Sequence, residues 1–281
     1  MIRIVTDSMS DIQQEQAKRH GLTVLPQYVL FGEESFLDGV DLTLDQFYQK
    51  LFAAKALPKT SQVTPESFSL AFASALRQGD EVICIIGSSK LSGSYQSAMI
   101  ARDMQPEGAP IFLIDSLGAT VSQQILVWEA VRLRDGGEPA ASIAQALSAL
   151  VAQVRLVASV QDLKHLVVGG RLSATTAYIG STLNLRPLLR LRGGKLEQAG
   201  LTHGQKRSFA WMEKQMEEEP RDERFPLYLA STNAPELQGE LRAYFEKRGI
   251  QNIRTVDAGS IIGTHAGQGG LAIAWVKKSE F

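Results

Sequence analysis

The chain has 281 residues, a length that favours about two domains of ordinary size. Apolar residues make up 44% of it and charged residues 21%, a composition typical of globular proteins that excludes a disordered chain. The formal net charge of −1 provides no overall attraction to nucleic acid or to anionic lipid.

Two local features narrow the class of protein further. No apolar run approaches the ~18 residues of a membrane-spanning helix, and the residues after Met1 turn polar too soon for a signal peptide. The single cysteine, Cys84, cannot form an internal disulfide bond, and its apolar surroundings predict a buried hydrophobic residue rather than a nucleophile. These features predict a soluble cytoplasmic protein.

The first half of the chain contains short segments that are rich in β-forming residues. Strands are expected at residues 2–5, 24–30, 81–86 and 111–114. Segments 81–86 and 111–114 are apolar on both faces, which is typical of strands buried within a parallel sheet.

Helical segments lie between these strands. One helix is expected to begin at Thr43, with Gln46 placed to complete a capping box, and another at Thr64, followed by Pro65. Two further helices are expected at residues 121–134 and 143–154. Strands separated by helices of this length predict an α/β domain whose mostly parallel sheet is flanked by helices.

The second half of the chain is less regular. Strands are expected at residues 156–160, 188–192, 227–231, 253–257 and 271–276, and helices at residues 203–219 and 235–248. Gly193 and Gly194 predict a tight turn that joins two strands as an antiparallel hairpin. We therefore expect an α/β domain at 1–155 and an α+β domain with a mixed or antiparallel sheet at 156–281.

The signatures of common catalytic sites are missing from the sequence, which has no dinucleotide-binding G-x-G-x-x-G after a strand, P-loop, H-E-x-x-H or G-x-S-x-G. Hydroxyl-rich segments stand out instead, at residues 59–62, 87–98 and 259–270. A strand that runs into a Gly/Ser turn and a helix N-terminus presents N–H and hydroxyl groups that can bind an anion. Plain helix capping by serine is the alternative.

The third of these segments contains His265 among several glycines. With few side chains expected to bury it, His265 is either a structural residue or one that binds a ligand. Asp7, Asp11 and Asp115 follow predicted strands, and we expect them to cap helices, because no third ligand for a metal ion is indicated.

Positive charge is concentrated in one stretch of the second half. Between Lys164 and Arg207 there are eight basic residues and one acidic residue, Glu197, which gives a net charge of +7. The stretch would suit a phosphate group or an acidic partner protein, or it is a solvated basic surface. Nucleic acid is not expected as a partner, because no DNA- or RNA-binding motif is present.

Six segments, taken in order along the chain, resemble motifs of the DegV family of bacterial fatty-acid-binding proteins. The family motifs T-D-S-x-x-D, T-S-Q-P, S-S-x-L-S-G-T-Y-Q-S-A, L-x-x-L-x-x-G-G-R, I-K-P-I-L and G-T-H-x-G-P-G are similar to residues 6–11, 60–63, 88–98, 163–171, 185–189 and 263–269. The resemblance runs nearly from end to end of the chain.

The resemblance implies a fold of the DegV type in which a long-chain fatty acid such as palmitate lies between two domains. Carried over by position, Thr60 and Ser92 would bind the fatty-acid carboxylate, and Ser61, Ser94 and His265 would be supporting donors. It implies no cofactor, no metal ion and no catalysis by this chain alone, with at most transient contact with a membrane.

The resemblance also implies a partner, a separate ATP-dependent fatty acid kinase that phosphorylates the bound acid and meets the face containing Arg171. Three departures from the family pattern bear on these expectations. Val63 and Gln268 stand where the family has proline, which would reshape two turns. Val167 and Val168 replace common lysines, which weakens the expected docking of the kinase because two positive charges are missing.

The chemistry of a fatty acid agrees with an absence of catalytic motifs. Burying ~14 methylene groups at ~0.8 kcal/mol each contributes about 11 kcal/mol before costs, so the tail supplies affinity. Hydroxyl groups offset the desolvation of the carboxylate and fix its orientation.

Two other functions remain open at this point. One is a small-molecule enzyme of dihydroxyacetone-kinase-like fold that uses His265 as a base or covalent ligand, which predicts turnover by the protein alone. The other is a regulatory protein that binds partners through the basic stretch between Lys164 and Arg207.

Overall fold

The computed structural model describes residues 1–173 and 184–279. Within these residues, thirteen strands and ten α-helices form three sheets and the layers around them. The strands are β1 (Ile2–Asp7), β2 (Leu22–Leu25), β3 (Tyr28–Phe31), β4 (Glu34–Leu37), β5 (Lys59–Ser61), β6 (Glu81–Ile86), β7 (Ile111–Asp115), β8 (Val154–Ser159), β9 (Leu185–Arg192), β10 (Lys195–His203), β11 (Leu227–Ser231), β12 (Ile253–Asp257) and β13 (Leu271–Val276). The helices are α1 (Gln14–Arg19), α2 (Leu44–Ala53), α3 (Pro65–Arg77), α4 (Ser94–Asp103), α5 (Val121–Asp135), α6 (Ala140–Val151), α7 (Lys164–Val168), α8 (Gln205–Glu218), α9 (Pro235–Glu246) and α10 (Ser260–Ala266).

The N-terminal sheet is parallel, in the order β2-β1-β6-β7, which confirms the prediction for this half. Side chains of β6 alternate between its two faces. Ile83 and Ile85 pack in the core cluster that contains α5 and α6, whereas Val82 and Ile86 pack in the cluster of α3 and α4. Cys84 packs in the same cluster as Val82 and Ile86 and is fully buried, as predicted.

One predicted strand is wrong, because residues 24–30 form parts of two strands in different sheets. β2 belongs to the parallel sheet, whereas β3 pairs antiparallel with β4 and β5 in a third, three-stranded sheet. Pro26, which has no N–H group for a ladder, lies between the two strands and accounts for the break. The side chain of Gln27, the residue after Pro26, is buried and donates to Asp7 within a polar network that is described below.

The second sheet has six strands in the order β10-β9-β8-β13-β11-β12, and every neighbouring pair except β11 and β12 is antiparallel. Gly193 and Gly194, both with positive φ, form the turn of the β9–β10 hairpin, as predicted. Helix α5 contacts strands of both large sheets and has buried residues all round, so a single core cluster joins the two halves. The expected domain boundary near residue 155 falls within β8, and the division itself stays a prediction.

The glycine-rich segment that contains His265 forms a helix, α10, which was not among the helices expected from sequence. α10 packs against α2, β3 and β5 of the first half. A Cβ atom at Gly263 would lie 2.7 Å from a ring carbon of Phe47 and 2.8 Å from the hydroxyl of Tyr48. Glycine therefore allows this close approach, which brings the C-terminal half of the chain onto the N-terminal half.

Helix α2 begins with the predicted capping box. The backbone N–H of Gln46 donates to the Thr43 hydroxyl, and the backbone N–H of Thr43 donates to the side-chain oxygen of Gln46. We expect Thr43→Ala to lower the free energy of unfolding by about 1 kcal/mol, because a backbone donor loses its partner. Thr43→Ser keeps the hydroxyl and should remain close to wild type. Urea denaturation followed by circular dichroism measures both values, and equal losses in the two variants would contradict the prediction.

Candidate functional site: a cavity with a hydroxyl cluster

A cavity lies where the two halves of the chain meet. The centre of a water molecule can move through about 240 Å³ of it, whereas holding one water takes only ~10–15 Å³. Most of its apolar wall comes from the second sheet and from α10, in particular Leu156, Ala158, Val160, Leu189, Leu191, Ala230, Leu271, Ala272, Ile261 and Ile262. Such a cavity, mostly apolar with a few polar groups, is the usual form of a small-molecule site.

Three alanines form a row across the cavity wall. Ala158 in β8, Ala272 in β13 and Ala230 in β11 are direct partners across neighbouring strands, and all three line the cavity. Small side chains at this row keep the space above the sheet open.

Most of the polar groups that line the cavity come from the first half of the chain. Thr60 and Ser61 lie in β5, and Ser92 lies in the turn between β6 and α4. The Thr60 hydroxyl is 2.8 Å from Nε2 of His265 in α10, so residues 205 positions apart meet at one point. Ser94 does not line the cavity, but its hydroxyl lies 3.1 Å from that of Ser92.

His265 is held as a neutral side chain. Burial, with smaller contributions from the nearby Arg171 and His165, lowers the pKa of His265 to about 4. The backbone of Gly169 packs against the ring, where a Cβ atom would lie 2.3 Å from Nδ1. A base with a pKa this far below neutral abstracts protons weakly, so this pKa does not favour an enzyme that uses His265 as its general base.

Arg171 also lines the cavity, next to the hydroxyl groups. Its Nε donates to the backbone carbonyl of Leu91 at 3.0 Å, and it is half-buried, which lowers the pKa of its guanidinium. Two other arginines of the basic stretch also form hydrogen bonds within the fold. Arg186 donates to the backbone carbonyl of Gly269, and Arg190 donates to the side-chain oxygen of Gln215. These three cations are therefore engaged within the fold, whereas others of the stretch, such as Lys164 and Arg192, are exposed.

The prediction that Asp7, Asp11 and Asp115 cap helices is wrong. Asp7 accepts from the side chains of Gln27 and Gln123, and Asp115 accepts from the backbone N–H groups of Ser89 and Leu117. Asp11 accepts from the backbone N–H of Gly259 at 2.8 Å, which joins the first turn of the chain to the segment before α10. A tertiary partner thus replaces the expected local one at Asp11, whereas Asp115 combines a tertiary partner with the local N–H of Leu117.

Two of these carboxyl groups, with Asp38, are buried near one another. Burial raises the pKa of Asp7 to about 6, that of Asp11 to about 8, and that of Asp38 in the same direction. In the part of the chain that the structure describes, no group of three His, Cys, Asp or Glu residues could hold a metal ion. Among the same residues, none of the helices has the length and apolar character that a membrane-spanning helix needs.

Gln27 and Asp38 are the main residues of this region that motif reasoning missed. Gln27 is 2% exposed, lines the cavity and reaches Ser92, Ser94 and Asp7 with its amide nitrogen. A polar residue directly after Pro26, between two apolar segments, is the one local signal that pointed to it.

Comparison with known proteins places the chain among relatives of matching length. A family model described as "Uncharacterised protein, DegV family" matches residues 1–278. A DegV domain-containing protein from Caldanaerobacter subterraneus subsp. tengcongensis is 35% identical over 280 residues, which cover 99% of both chains.

Two solved structures share the whole fold. A DegV family protein from Thermus thermophilus, described as showing fatty acid binding, is 29% identical with a TM-score of 0.90, over 99% of both chains. A stearic acid-binding protein from Eubacterium ventriosum is 28% identical with a TM-score of 0.90, again over 99% of both chains. The match of the family model along nearly all of the sequence, together with the shared fold, shows that this chain belongs to the DegV family.

Proposed function

We propose that this protein binds a long-chain fatty acid such as palmitate, with the acyl chain in the apolar cavity and the carboxylate at Thr60 and Ser92. The observation that carries the proposal is that hydroxyl groups from β5 and from the β6–α4 turn line one cavity whose wall is otherwise mostly apolar. The fatty acid binding described for the Thermus thermophilus and Eubacterium ventriosum proteins supports it.

The apolar wall of the cavity and its hydroxyl groups bind different parts of the fatty acid. The leucines, alanines and isoleucines of the wall match an alkyl chain, for which each buried methylene contributes ~0.8 kcal/mol. The hydroxyls of Thr60 and Ser92 replace water around the carboxylate, with Ser61, Ser94 and the neutral His265 as supporting groups.

We further propose that the protein presents the carboxyl group to a separate fatty acid kinase, which forms an acyl phosphate. Arg171 supports this step, because it lies beside the hydroxyl cluster and bonds the Leu91 carbonyl of the turn that contains Ser92. The exposed Val168 before it lacks the charge that would strengthen docking. The protein acts as a binding protein in this scheme, and the kinase supplies ATP and catalysis.

Native mass spectrometry of freshly purified protein, followed by extraction and fatty-acid analysis, tests the proposed ligand. We expect one acyl chain per protein molecule, and delipidated protein should take up added palmitate. Thr60→Ala combined with Ser92→Ala should raise the Kd for palmitate at least about tenfold, because hydrogen bonds to a charged group are lost. Ser35→Ala, which removes an exposed hydroxyl that does not line the cavity, is the control.

The outcomes separate the proposed function from the enzyme alternative. Two results together would overturn the fatty-acid site: purified wild-type protein that contains no acyl chain, and a double variant whose Kd for palmitate equals that of wild type. For the kinase step, acyl phosphate should form only when the loaded protein, ATP and a bacterial fatty acid kinase are combined. Turnover by the protein alone that is lost in His265→Ala would instead favour the enzyme.

A further inference from the structure

We propose that Asp7 and Gln27 are positioning residues that force the Ser92 hydroxyl to donate its proton into the cavity, so that the site selects a group that only accepts, such as a carboxylate, over a group that must also donate, such as an alcohol. The inference rests on the proposed function and explains how an uncharged hydroxyl comes to recognise an anion. It follows from counting the donors and acceptors of four side chains, Asp7, Gln27, Ser94 and Ser92.

Asp7 is a fully buried side chain at the end of β1. Gln123 Nε2 donates to its Oδ1 at 2.8 Å and Gln27 Nε2 to its Oδ2 at 3.2 Å, while backbone N–H groups of Gly87 and Met9 also donate to it. An ionised carboxylate can only accept hydrogen bonds. Gln27 must therefore turn its amide nitrogen, rather than its amide oxygen, toward Asp7.

The second hydrogen of the Gln27 amide then points to the serines. Gln27 Nε2 lies 3.1 Å from Ser94 Oγ, and the backbone of Gln27 is fixed because its N–H donates to Ser8 Oγ at 3.0 Å. Ser94 Oγ also accepts from the backbone N–H of Val63 at 3.2 Å. A hydroxyl has two acceptor positions and one proton, so Ser94 with both positions filled must donate.

The proton of Ser94 goes to Ser92, whose Oγ is 3.1 Å away. Ser92 Oγ accepts in addition from the backbone N–H of Ser94 at 3.2 Å, and the Gln27 nitrogen lies 3.5 Å from it on the same side. Both acceptor positions of Ser92 are thus filled by donors. Its own proton is the one left over, and Ser92 lines the cavity.

The direction of this chain of hydrogen bonds is set by Asp7, which is a buried acceptor at one end. At the other end the ligand meets a hydroxyl that can give a proton but has no free lone pair to receive one. A carboxylate oxygen satisfies that hydroxyl. The oxygen of a fatty alcohol can also accept from it, but the O–H of the alcohol then finds no acceptor at Ser92. Leaving a buried polar group without its partner is what makes such discrimination large.

The substitution Gln27→Glu tests the direction without changing the shape of the side chain. Two carboxyl groups side by side share one proton, so the oxygen facing Ser94 becomes an acceptor. Ser94 then donates to residue 27, and one acceptor position of Ser92 opens to the cavity. Kd values for laurate and dodecan-1-ol, obtained on delipidated protein by displacement of a fluorescent acyl probe, give the preference for acid over alcohol.

We expect wild type to prefer laurate and Gln27→Glu to lose about tenfold or more of that preference, through weaker laurate binding and equal or tighter dodecan-1-ol binding. Gln49→Glu, which adds a carboxyl group at an exposed position of α2, should keep the wild-type ratio. A folded Gln27→Glu protein with an unchanged ratio would overturn the inference and leave the fatty-acid site standing. Equal loss of both ligands would also overturn it, because that result indicates a structural role.

Ser94→Ala provides a second route if Gln27→Glu does not fold. The variant leaves one lone pair of Ser92 unfilled, so the preference for laurate should fall in the same direction, and an unchanged preference would overturn the inference. A wild-type protein that binds neither ligand would overturn the proposed function, and the inference with it.

Discussion

Replacement of Ala272 with leucine is expected to weaken palmitate binding by about a hundredfold or more while the protein remains folded. Ala272 is the middle member of the alanine row, between Ala158 and Ala230, and it lines the cavity. A leucine there occupies space that the acyl chain needs. If four methylenes lose their place, the loss at ~0.8 kcal/mol each is about 3 kcal/mol, or roughly two orders of magnitude in Kd.

The same substitution should not lower stability by much, because the leucine side chain enters an apolar cavity rather than a close-packed core. The expected signature is thus a melting temperature equal to or above that of wild type, together with loss of palmitate. Octanoate, whose shorter chain needs less of the cavity, should keep its affinity within about threefold. Ala210→Leu on the exposed face of α8 is the matched control.

The measurements separate occlusion of the cavity from damage to the fold. Thermal unfolding without ligand reports stability, and titration with palmitate and octanoate reports the length of chain that still fits. Palmitate binding as tight as in wild type would show that the acyl chain does not cross the alanine row, and a different wall of the cavity would then have to hold it.

Much of the fold was predictable because local patterns and tertiary packing agree. β6 is an apolar run that lies buried between two parallel neighbours, and α3 begins at the Thr64-Pro65 pair expected from capping chemistry. Gly193-Gly194 likewise predicts its hairpin, since positive φ at both positions suits few other residues. In these elements the residues that predict the structure are close neighbours in sequence, even where, as in β6, the partner strands are distant.

The elements that were wrong or missing depend on contacts far along the chain. α10 contains glycines that usually end helices, yet Gly263 is tolerated because Phe47 and Tyr48 press against it. Asp11 reads locally as a capping residue, but its partner is the backbone of Gly259, 248 positions away. No periodicity within a short window contains that information.

The candidate site shows the same division. Thr60, Ser61, Ser92 and His265 were named from the family motifs, and the structure brings Thr60 and His265 into contact. Their assignment to a carboxylate stays a prediction. Gln27 belongs to no motif recognised in the sequence, because its importance comes from the direction of hydrogen bonds between residues on different elements.

A second large effect is expected from Asp11→Asn, a substitution that should stabilise the protein more as the pH rises. Burial raises the pKa of Asp11 to about 8, with smaller contributions in the same direction from Asp38 and Asp7. Its Oδ1 accepts from Gly259, Oδ2 is buried, and the Thr120 hydroxyl is a side-chain partner of the carboxyl group. Asparagine keeps the acceptor and carries no charge. It also suits the left-handed backbone of this position, where φ is 55°.

The sign of the effect follows from proton linkage. In the unfolded chain Asp11 ionises near its ordinary pKa of 3.8, but in the folded protein it retains its proton up to about pH 8. The folded state therefore binds more protons between these values, and wild-type stability falls as the pH rises through that window. The Asp11→Asn protein has no such proton to lose, so its stability does not fall for this reason. The free energy of unfolding of Asp11→Asn minus that of wild type should therefore grow on the order of 1 kcal/mol per pH unit.

Urea denaturation of both proteins at pH 5, 6 and 7 measures the growing difference, which should reach about 2 kcal/mol across that range. Changes in the pKa values of Asp7 and Asp38 contribute in both proteins, so the difference between the variants isolates Asp11. Asp103→Asn, at an exposed surface pair with Arg102, should shift stability little at any of these pH values. A constant difference between Asp11→Asn and wild type from pH 5 to pH 7 would mean that Asp11 is ionised in the folded protein throughout. Hydrogen bonds and other contacts that stabilise an ionised Asp11, rather than a bound proton, would then offset the burial of this carboxyl group near Asp7 and Asp38.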